Sequence, residues 1–165
     1  MHRFLMPLAA AVISSTVSFG VNAADNIILI QADDMTPDEM IYMPQTNAYL
    51  RNNGTTFTNA FVSNAMCCPS RVTTLTGNYS HNTGIHNNSG PQGGFGAFHA
   101  KGMEASTVAT RMKAAGYKTA YFGKYLNQYG SAKFAPPSYV PPGWDEWYGL
   151  ASTIKYYDYR LNENG

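Results

Sequence analysis

A helix, a glycine and a strand follow one another in residues 106–122, and this succession constrains the fold more than any other feature of the chain. Apolar residues recur on one face of a helix that Ser106 caps and Gly116 ends. Residues 117–122 are typical of a strand. Because this order is the second half of a right-handed βαβ unit, the sequence predicts an α/β fold with a mainly parallel sheet flanked by helices.

A short apolar run, residues 26–32, ends in two adjacent carboxylates, Asp33 and Asp34. The run predicts a strand that is buried on both faces, as in a parallel sheet. Carboxylates that follow such a strand lie in the crevice where open α/β sheets bind ligands, and their mutual repulsion favours a hard cation such as calcium or magnesium. A solvated turn or a helix cap is the alternative, since residues 36–39 resemble the start of a helix.

A thiol, a proline and a guanidinium lie close together in the sequence Cys-Cys-Pro-Ser-Arg, residues 67–71. Proline suits the first turn of a helix and Gly77 is a suitable C-terminal stop, so Cys67 is expected just before a helix N-terminus, which attracts anions. Arg71 follows about one turn later and can reach back with a charged fork. The pattern indicates a nucleophile beside an oxyanion site; two cysteines packed as small apolar residues are the alternative.

This motif, together with Leu-Thr-Gly at residues 75–77, resembles the signature of the type I sulfatase family. The resemblance implies an alkaline-phosphatase-like α/β fold and a hydrolase of sulfate esters. It also implies that a separate formylglycine-generating enzyme oxidises Cys67, and not Cys68, to formylglycine, whose hydrate attacks the sulfate. By the same resemblance, Asp33 and Asp34 bind a divalent cation together with residue 67, with calcium as the expected ion and magnesium as the alternative.

The strand predicted at residues 117–122 is followed by Gly123 and Lys124. Glycine lets the backbone approach a ligand, and a lysine at the end of a parallel strand can hold an anion; an ordinary surface lysine is the alternative. The sulfatase resemblance implies that Lys124, with Arg71, neutralises the sulfate oxygens. Many family members carry a histidine two residues after this lysine, where this chain has Leu126, and Asn127 is the candidate for the missing substrate contact.

The sequence Gly-Lys-Tyr-Leu-Asn and the later Pro-Pro-Gly-Trp-Asp-Glu-Trp, residues 141–147, are similar to one branch of the family. That branch contains the N-acetylglucosamine-6-sulfatases and the heparan 6-O-endosulfatases, which implies a sulfated carbohydrate, such as a glycosaminoglycan, as substrate. The aperiodic residues 79–102 predict a long functional loop. His81, Asn87 and Asn88 are expected to line the substrate pocket because they follow the motif closely.

Residues 1–23 predict a secretory signal peptide, with a short basic start, an apolar segment and an Ala-x-Ala-like exit. A membrane anchor is the alternative, but polar residues interrupt a run that is short for a bilayer. We expect an exported protein, periplasmic, secreted or lysosomal, without stable membrane insertion. Eleven Lys plus Arg against ten Asp plus Glu indicate no nucleic-acid partner, and two adjacent cysteines cannot form a useful disulfide scaffold.

Residues 24–165 are predicted to be only the N-terminal part of a sulfatase catalytic domain. The family's remaining metal ligands, an Asp-Asn pair, have no counterpart after Asn127. The fold is therefore expected to be incomplete, and the chain alone is expected to be inactive. Two other functions remain open: a phosphodiesterase or phosphonate hydrolase of the same superfold, and an inactive secreted fragment that binds glycans.

Overall fold

The computed structural model describes residues 25–151, 155 and 157–165 of the chain. The chain divides into two units, Met1–Ala32 and Asp33–Gly165. The predicted signal peptide, residues 1–23, lies outside the described residues. Among the residues that are described, no helix is long and apolar enough to cross a lipid bilayer.

Residues 25–32 of the first unit have no regular secondary structure, so the buried strand predicted at residues 26–32 is not formed. The apolar side chains of this run are 66–84% exposed to solvent. A strand is stabilised by backbone hydrogen bonds to a neighbouring strand, and no described residue of this unit supplies one. The run is apolar, as a buried strand requires. No neighbouring strand pairs with it in the described part of the unit, so it does not become a strand.

The second unit contains five α-helices and several tighter or wider helical turns among its described residues. The α-helices are α1 (Pro44–Thr46), α2 (Cys67–Thr76), α3 (Ser80–Thr83), α4 (Gly94–Ala100) and α5 (Val108–Ala114). A 3₁₀-helix precedes α1 at Pro37–Tyr42, a π-helical turn follows it at Asn47–Arg51, and a second 3₁₀-helix at Met103–Ser106 precedes α5.

Helices α3 and α4 lie within the stretch 79–102, where a loop was predicted. In α4, Phe95 and Phe98 are fully buried. Burial of two aromatic side chains outweighs the low helix propensity of the glycines in this segment. A helix of only two turns shows no clear period in the sequence, and this explains why the prediction was wrong here.

The helix predicted at residues 106–116 is confirmed, but it begins one residue later than expected. The cap is Thr107 rather than Ser106: Thr107 Oγ1 accepts the Thr110 N–H at 3.5 Å, and Thr110 Oγ1 accepts the Thr107 N–H at 3.0 Å. Gly116 follows the helix with a φ of 89°, a left-handed conformation that favours glycine.

The sheet is small and mixed, with the order β1 (Ala120–Gly123), β2 (Glu146–Ala151) and β3 (Arg160–Glu163). β1 pairs with β2 in parallel, and β2 pairs with β3 antiparallel. The strand predicted at residues 117–122 begins only at Ala120, because the N–H and C=O of Thr119 bind Asp145 instead. The parallel crossover from β1 to β2 begins directly after Gly123.

Trp147 of β2 lies at the centre of the core and is fully buried. Its Nε1 donates a hydrogen bond of 2.7 Å to the Tyr129 hydroxyl, which also accepts one of 3.0 Å from Asn162 Nδ2. The Tyr121 ring stacks on Trp147 with centroids 4.8 Å apart. These contacts join the sheet to the crossover and so hold the backbone that follows Lys124.

Candidate active site

Helix α2 positions Cys67 and Arg71. It begins at Cys67, directly after Met66, which is extended, with Pro69 in the first turn. Gly77 ends it with a φ of 72°. The helix predicted from the motif is confirmed, with the thiol on its first residue rather than just before it.

The two adjacent cysteines have different environments. Cys67 is partly exposed, whereas Cys68 is fully buried, and its N–H donates to Asn88 Oδ1 at 2.8 Å. Burial raises the pKa of the Cys68 thiol to about 11. A buried, protonated thiol is a poor nucleophile, so Cys67 is the cysteine that remains available for chemistry.

Asp33 and Asp34 lie beside Cys67. One carboxylate oxygen from each aspartate and the Cys67 Sγ all lie within 4.8 Å of one another, and the thiol is 3.8 Å from Asp34 Oδ1. Asp34 has a φ of 52°, a left-handed conformation that Asp tolerates better than most residues. In an extended chain, successive side chains point to opposite sides. The left-handed conformation of Asp34 interrupts this alternation, so both carboxylates can approach the same thiol.

The aspartates do not cap the following helix. The 3₁₀-helix Pro37–Tyr42 is capped instead by Thr36 and Glu39, since the Thr36 N–H donates to Glu39 Oε2 at 2.6 Å. The helix-cap interpretation of Asp33 and Asp34 is therefore wrong. Their two carboxylates suit calcium or magnesium, while the sulfur of Cys67 is a softer ligand that these ions bind poorly.

Asp33 binds two cationic side chains at once. Its Oδ1 lies 3.2 Å from Arg71 Nη2 and its Oδ2 lies 2.6 Å from Lys124 Nζ. Partial burial alone would raise the pKa of Asp33, but hydrogen bonds from Lys124 and Arg71 outweigh it and lower the pKa below its ordinary value. Asp33 is thus an anion that connects helix α2 to the end of strand β1.

Arg71 and Tyr121 share one hydrogen-bond acceptor, and the role of Tyr121 was not predicted from the sequence. The guanidinium Nη1 and the Tyr121 hydroxyl both donate to the Lys124 carbonyl. Arg71 is 7% exposed, and its buried Nε has no hydrogen-bond partner among the described residues. Burial raises the pKa of Tyr121, so its hydroxyl keeps its proton and remains a donor. The only sequence signal for Tyr121 was its place in an aromatic strand two residues before Gly123.

Gly123 ends strand β1 and Lys124 follows it. Gly123 has a φ of 101°, which a residue with a side chain adopts only with strain. This turn of the backbone directs the chain into the crossover at the point where Lys124 binds Asp33. Lys124 is therefore not an ordinary surface lysine, since its side chain is 13% exposed and paired.

A cleft of about 690 Å³ adjoins this cluster, and Lys124, Leu126 and Asn127 line it. Asn88 also lines the cleft. His81 is exposed and stacks on Tyr79, with ring centroids 5.7 Å apart; it is not among the residues that line the cleft, and its predicted role in substrate binding stays a prediction.

Comparison with known proteins shows extensive similarity to sulfatases. The family model described as Sulfatase matches residues 25–165. Over 146 residues the chain is 44% identical to the extracellular sulfatase SULF-1 homolog of Drosophila melanogaster. Over 155 residues it is 38% identical to the N-acetylglucosamine-6-sulfatase of Homo sapiens.

These alignments cover most of this chain but a small part of each relative. They include 85% of this chain and 12% of the Drosophila protein, and 89% of this chain and 28% of the human protein. The N-acetylglucosamine-6-sulfatase of Capra hircus is 39% identical, with 85% of this chain and 26% of the relative covered. No solved structure matches the chain significantly.

Proposed function

Because the chain belongs to the sulfatase family, we propose that residues 24–165 are the nucleophile-bearing N-terminal part of a sulfatase catalytic domain. In this proposal a signal peptide, residues 1–23, directs the protein to export. The substrate is a sulfated sugar with N-acetylglucosamine 6-sulfate units, as the names of the relatives suggest. The reaction is hydrolysis of the sulfate ester.

One observation carries the proposal. Ligand atoms of Asp33, Asp34 and Cys67 lie within 4.8 Å of one another, and Arg71 and Lys124 both bind Asp33. Three separated segments of the chain thus bring two carboxylates, one thiol and two cationic side chains together. Cationic side chains stabilise the negative charge of a sulfate group, and carboxylates contribute by holding a cation beside it.

The donor set favours modification of Cys67. Two carboxylates and one thiol combine hard and soft ligands, which neither calcium nor a soft metal prefers. Oxidation of the Cys67 side chain to hydrated formylglycine by a formylglycine-generating enzyme replaces the sulfur with oxygens. All three residues then offer oxygen ligands, consistent with calcium, with magnesium as the alternative.

In the proposed mechanism, residue 67 supplies the nucleophile. One hydroxyl of its hydrate would attack the sulfur atom and lose its proton, the sulfur–oxygen bond to the sugar would break, and the sugar would leave as an alcohol after taking up a proton. The second hydroxyl then loses its proton, the aldehyde re-forms and sulfate leaves; water restores the hydrate. A serine or an unmodified cysteine lacks this second hydroxyl and would remain sulfated.

The remaining residues bind charge. Asp33 and Asp34 would hold the cation, which when bound lowers the pKa of a hydroxyl group beside it. Lys124 has three N–H donors and uses one on Asp33, so two have no partner among the described residues and are proposed to bind sulfate oxygens. Arg71 adds a delocalised positive charge that is held in a fixed orientation by the Lys124 carbonyl. Asn127 is proposed to contact the sugar.

The test is the chemical state of residue 67. The chain is co-expressed with a formylglycine-generating enzyme and digested, and its peptides are analysed by mass spectrometry and aldehyde-specific labelling. The wild type and Cys68→Ser are expected to carry an aldehyde at position 67, and Cys67→Ala is expected to carry none. An intact Cys67 thiol in protein exposed to the enzyme would overturn the proposal.

Turnover is measured in parallel on an aryl sulfate and an aryl phosphate diester. Since the described residues offer three ligand residues for the cation in this cluster, the chain alone is expected to hydrolyse neither at a significant rate. Hydrolysis of the aryl sulfate by the purified chain would contradict this expectation of inactivity. Preferential hydrolysis of the phosphate diester would contradict the assignment as a sulfatase.

A further inference from the structure

The cleft beside Lys124 extends beyond the proposed sulfate site. Its volume of about 690 Å³ falls within the range of roughly 300–1,000 Å³ that is usual for small-molecule sites. Asn88 and Lys124 lie at the proposed active-site cluster, because Asn88 binds the backbone of Cys68 and Lys124 binds Asp33. Lys133 and Phe134, from the crossover between β1 and β2, also line the cleft.

The cleft carries one positive charge, that of Lys133, which no described carboxylate compensates. Two lysines and no carboxylate are found among its lining residues. Lys124 is already paired with Asp33, whereas Lys133 forms no salt bridge with any described residue. An unpaired ammonium group in a cleft attracts a ligand anion.

The ammonium group of Lys133, an exposed residue, lies over the adjacent aromatic ring. Its Nζ lies 5.4 Å from the centroid of the Phe134 ring, within the range of a cation–π contact. The Phe134 ring itself packs on Gly96 of α4, where a Cβ would come within 2.5 Å of the ring. Hydrogen bonds from Phe134 N and Ala135 N to the Ser131 carbonyl hold the turn. Phe134 therefore provides a fixed apolar wall beside the charge of Lys133.

One residue that lines the cleft also carries an unused hydrogen-bond acceptor. Asn127 Oδ1 is buried and has no partner among the described residues. A buried unpaired acceptor is costly, and a hydroxyl group of a ligand would satisfy it. An acceptor, an apolar wall and an ammonium group together suit a sugar that carries an acidic group.

From this arrangement we infer that Lys133 is a specificity-determining residue that selects substrates with a second acidic group on the sugar next to the sulfate ester. The inference rests on the proposed function. Lys124 binds the sulfate to be removed, Asn127 accepts a hydroxyl hydrogen bond, and Lys133 binds the carboxylate or sulfate of the neighbouring sugar. Substrates with a single negative charge bind without help from Lys133.

The experiment compares two probes on the chain expressed without a formylglycine-generating enzyme, so that neither is consumed. One is N-acetylglucosamine 6-sulfate, with one acidic group; the other is a disaccharide in which this sugar is linked to a uronic acid. Affinities are measured by NMR titration at low and high salt. Lys133→Gln is compared with Lys118→Gln, because Lys118 is exposed and does not line the cleft.

Lys133→Gln is expected to weaken binding of the disaccharide roughly three- to tenfold and binding of the monosaccharide less than about twofold, since an exposed ion pair contributes modestly to affinity. The loss of affinity should diminish at high salt, and Lys118→Gln should change the affinity for neither probe. Equal weakening of both probes, no weakening of either, or failure of both probes to bind the wild type would each overturn the inference.

The two proposals fail in different ways. If residue 67 stays a thiol while Lys133 still discriminates between the probes, the nucleophile assignment fails and the cleft assignment stands. Residue 67 could instead become an aldehyde, with binding of the monosaccharide dependent on Lys124. If Lys133→Gln then changes the affinity for neither probe, only the inference about Lys133 fails.

Discussion

Lys124 Nζ lies 2.6 Å from Asp33 Oδ2, although 91 residues separate them in the chain. Arg71 binds the other oxygen of the same carboxylate. Since Asp33 precedes helix α2 and Lys124 follows strand β1, this carboxylate brings together segments that are distant in sequence. It also brings both cationic groups close to Cys67, the residue proposed to react.

Cys67 and Cys68 are expected to differ in alkylation. Cys68 is fully buried, and its pKa of about 11, against an ordinary 9.0, lowers its thiolate fraction about 100-fold near neutral pH. In native protein expressed without the generating enzyme, iodoacetamide should label Cys67 first and Cys68 only after denaturation. Peptide mapping of wild type, Cys67→Ser and Cys68→Ser checks this. Rapid labelling of Cys68 in native protein would contradict the burial described here.

Calcium is expected to stabilise the chain through Asp34. A cation relieves the repulsion between adjacent carboxylates, and at ten times its Kd it would add about 1.4 kcal/mol to the free energy of unfolding. The melting temperature of the wild type should rise with calcium and fall again with a chelator. Asp34→Asn should abolish the rise. Asp38→Asn, an acidic residue of the 3₁₀-helix outside the cluster, should preserve it; an equal response in all three proteins would argue against the site.

Gly96→Ala is expected to destabilise the fold even though alanine favours helices. The new Cβ would lie 2.5 Å from the Phe134 ring, and overpacking of this kind costs about 1–3 kcal/mol. Urea unfolding measures the loss. In a Phe134→Ala background the same substitution should be neutral or stabilising, because the clash is removed. An unchanged cost in that background would show that Phe134 is not the cause.

Asp145 is expected to make stability depend on pH. A hydrogen bond from Lys113 and one from the Thr119 amide hold the pKa of Asp145 at about 2, below its ordinary 3.8. A lowered folded-state pKa stabilises the protein above pH 3.8, and this contribution is lost as the pH falls from 3.8 towards 2. The difference in free energy of unfolding between wild type and Asp145→Asn should therefore be larger at about pH 6 than at about pH 3.

A second measurement isolates the partner of Asp145. Lys113→Met removes the ammonium group that lies 2.9 Å from Asp145 Oδ1. NMR titration of the Asp145 carboxyl should then show a pKa closer to 3.8, since only the Thr119 contacts remain. A pKa that stays at about 2 would assign the shift to Thr119 rather than to Lys113.

Helix α2 could be predicted from the sequence, because proline in its first turn and glycine after its last act within a few residues. The lack of a strand at residues 26–32 could not be predicted, because an apolar run becomes a strand only when a neighbour pairs with it. Helix α4 was missed for the opposite reason: its glycine-rich sequence is weakly helical, and burial of Phe95 and Phe98 stabilises it.

The sequence by itself determined the chemical groups of the candidate site and the local turns that carry them, including Asp33, Asp34, Cys67, Arg71 and Lys124. Only the tertiary structure decided that both cationic groups bind one carboxylate, that Cys68 is buried while Cys67 is accessible, and that Lys133 lines the same cleft as Lys124. Turns and caps depend on neighbours within one helical turn, whereas these distances depend on packing between segments far apart in the chain.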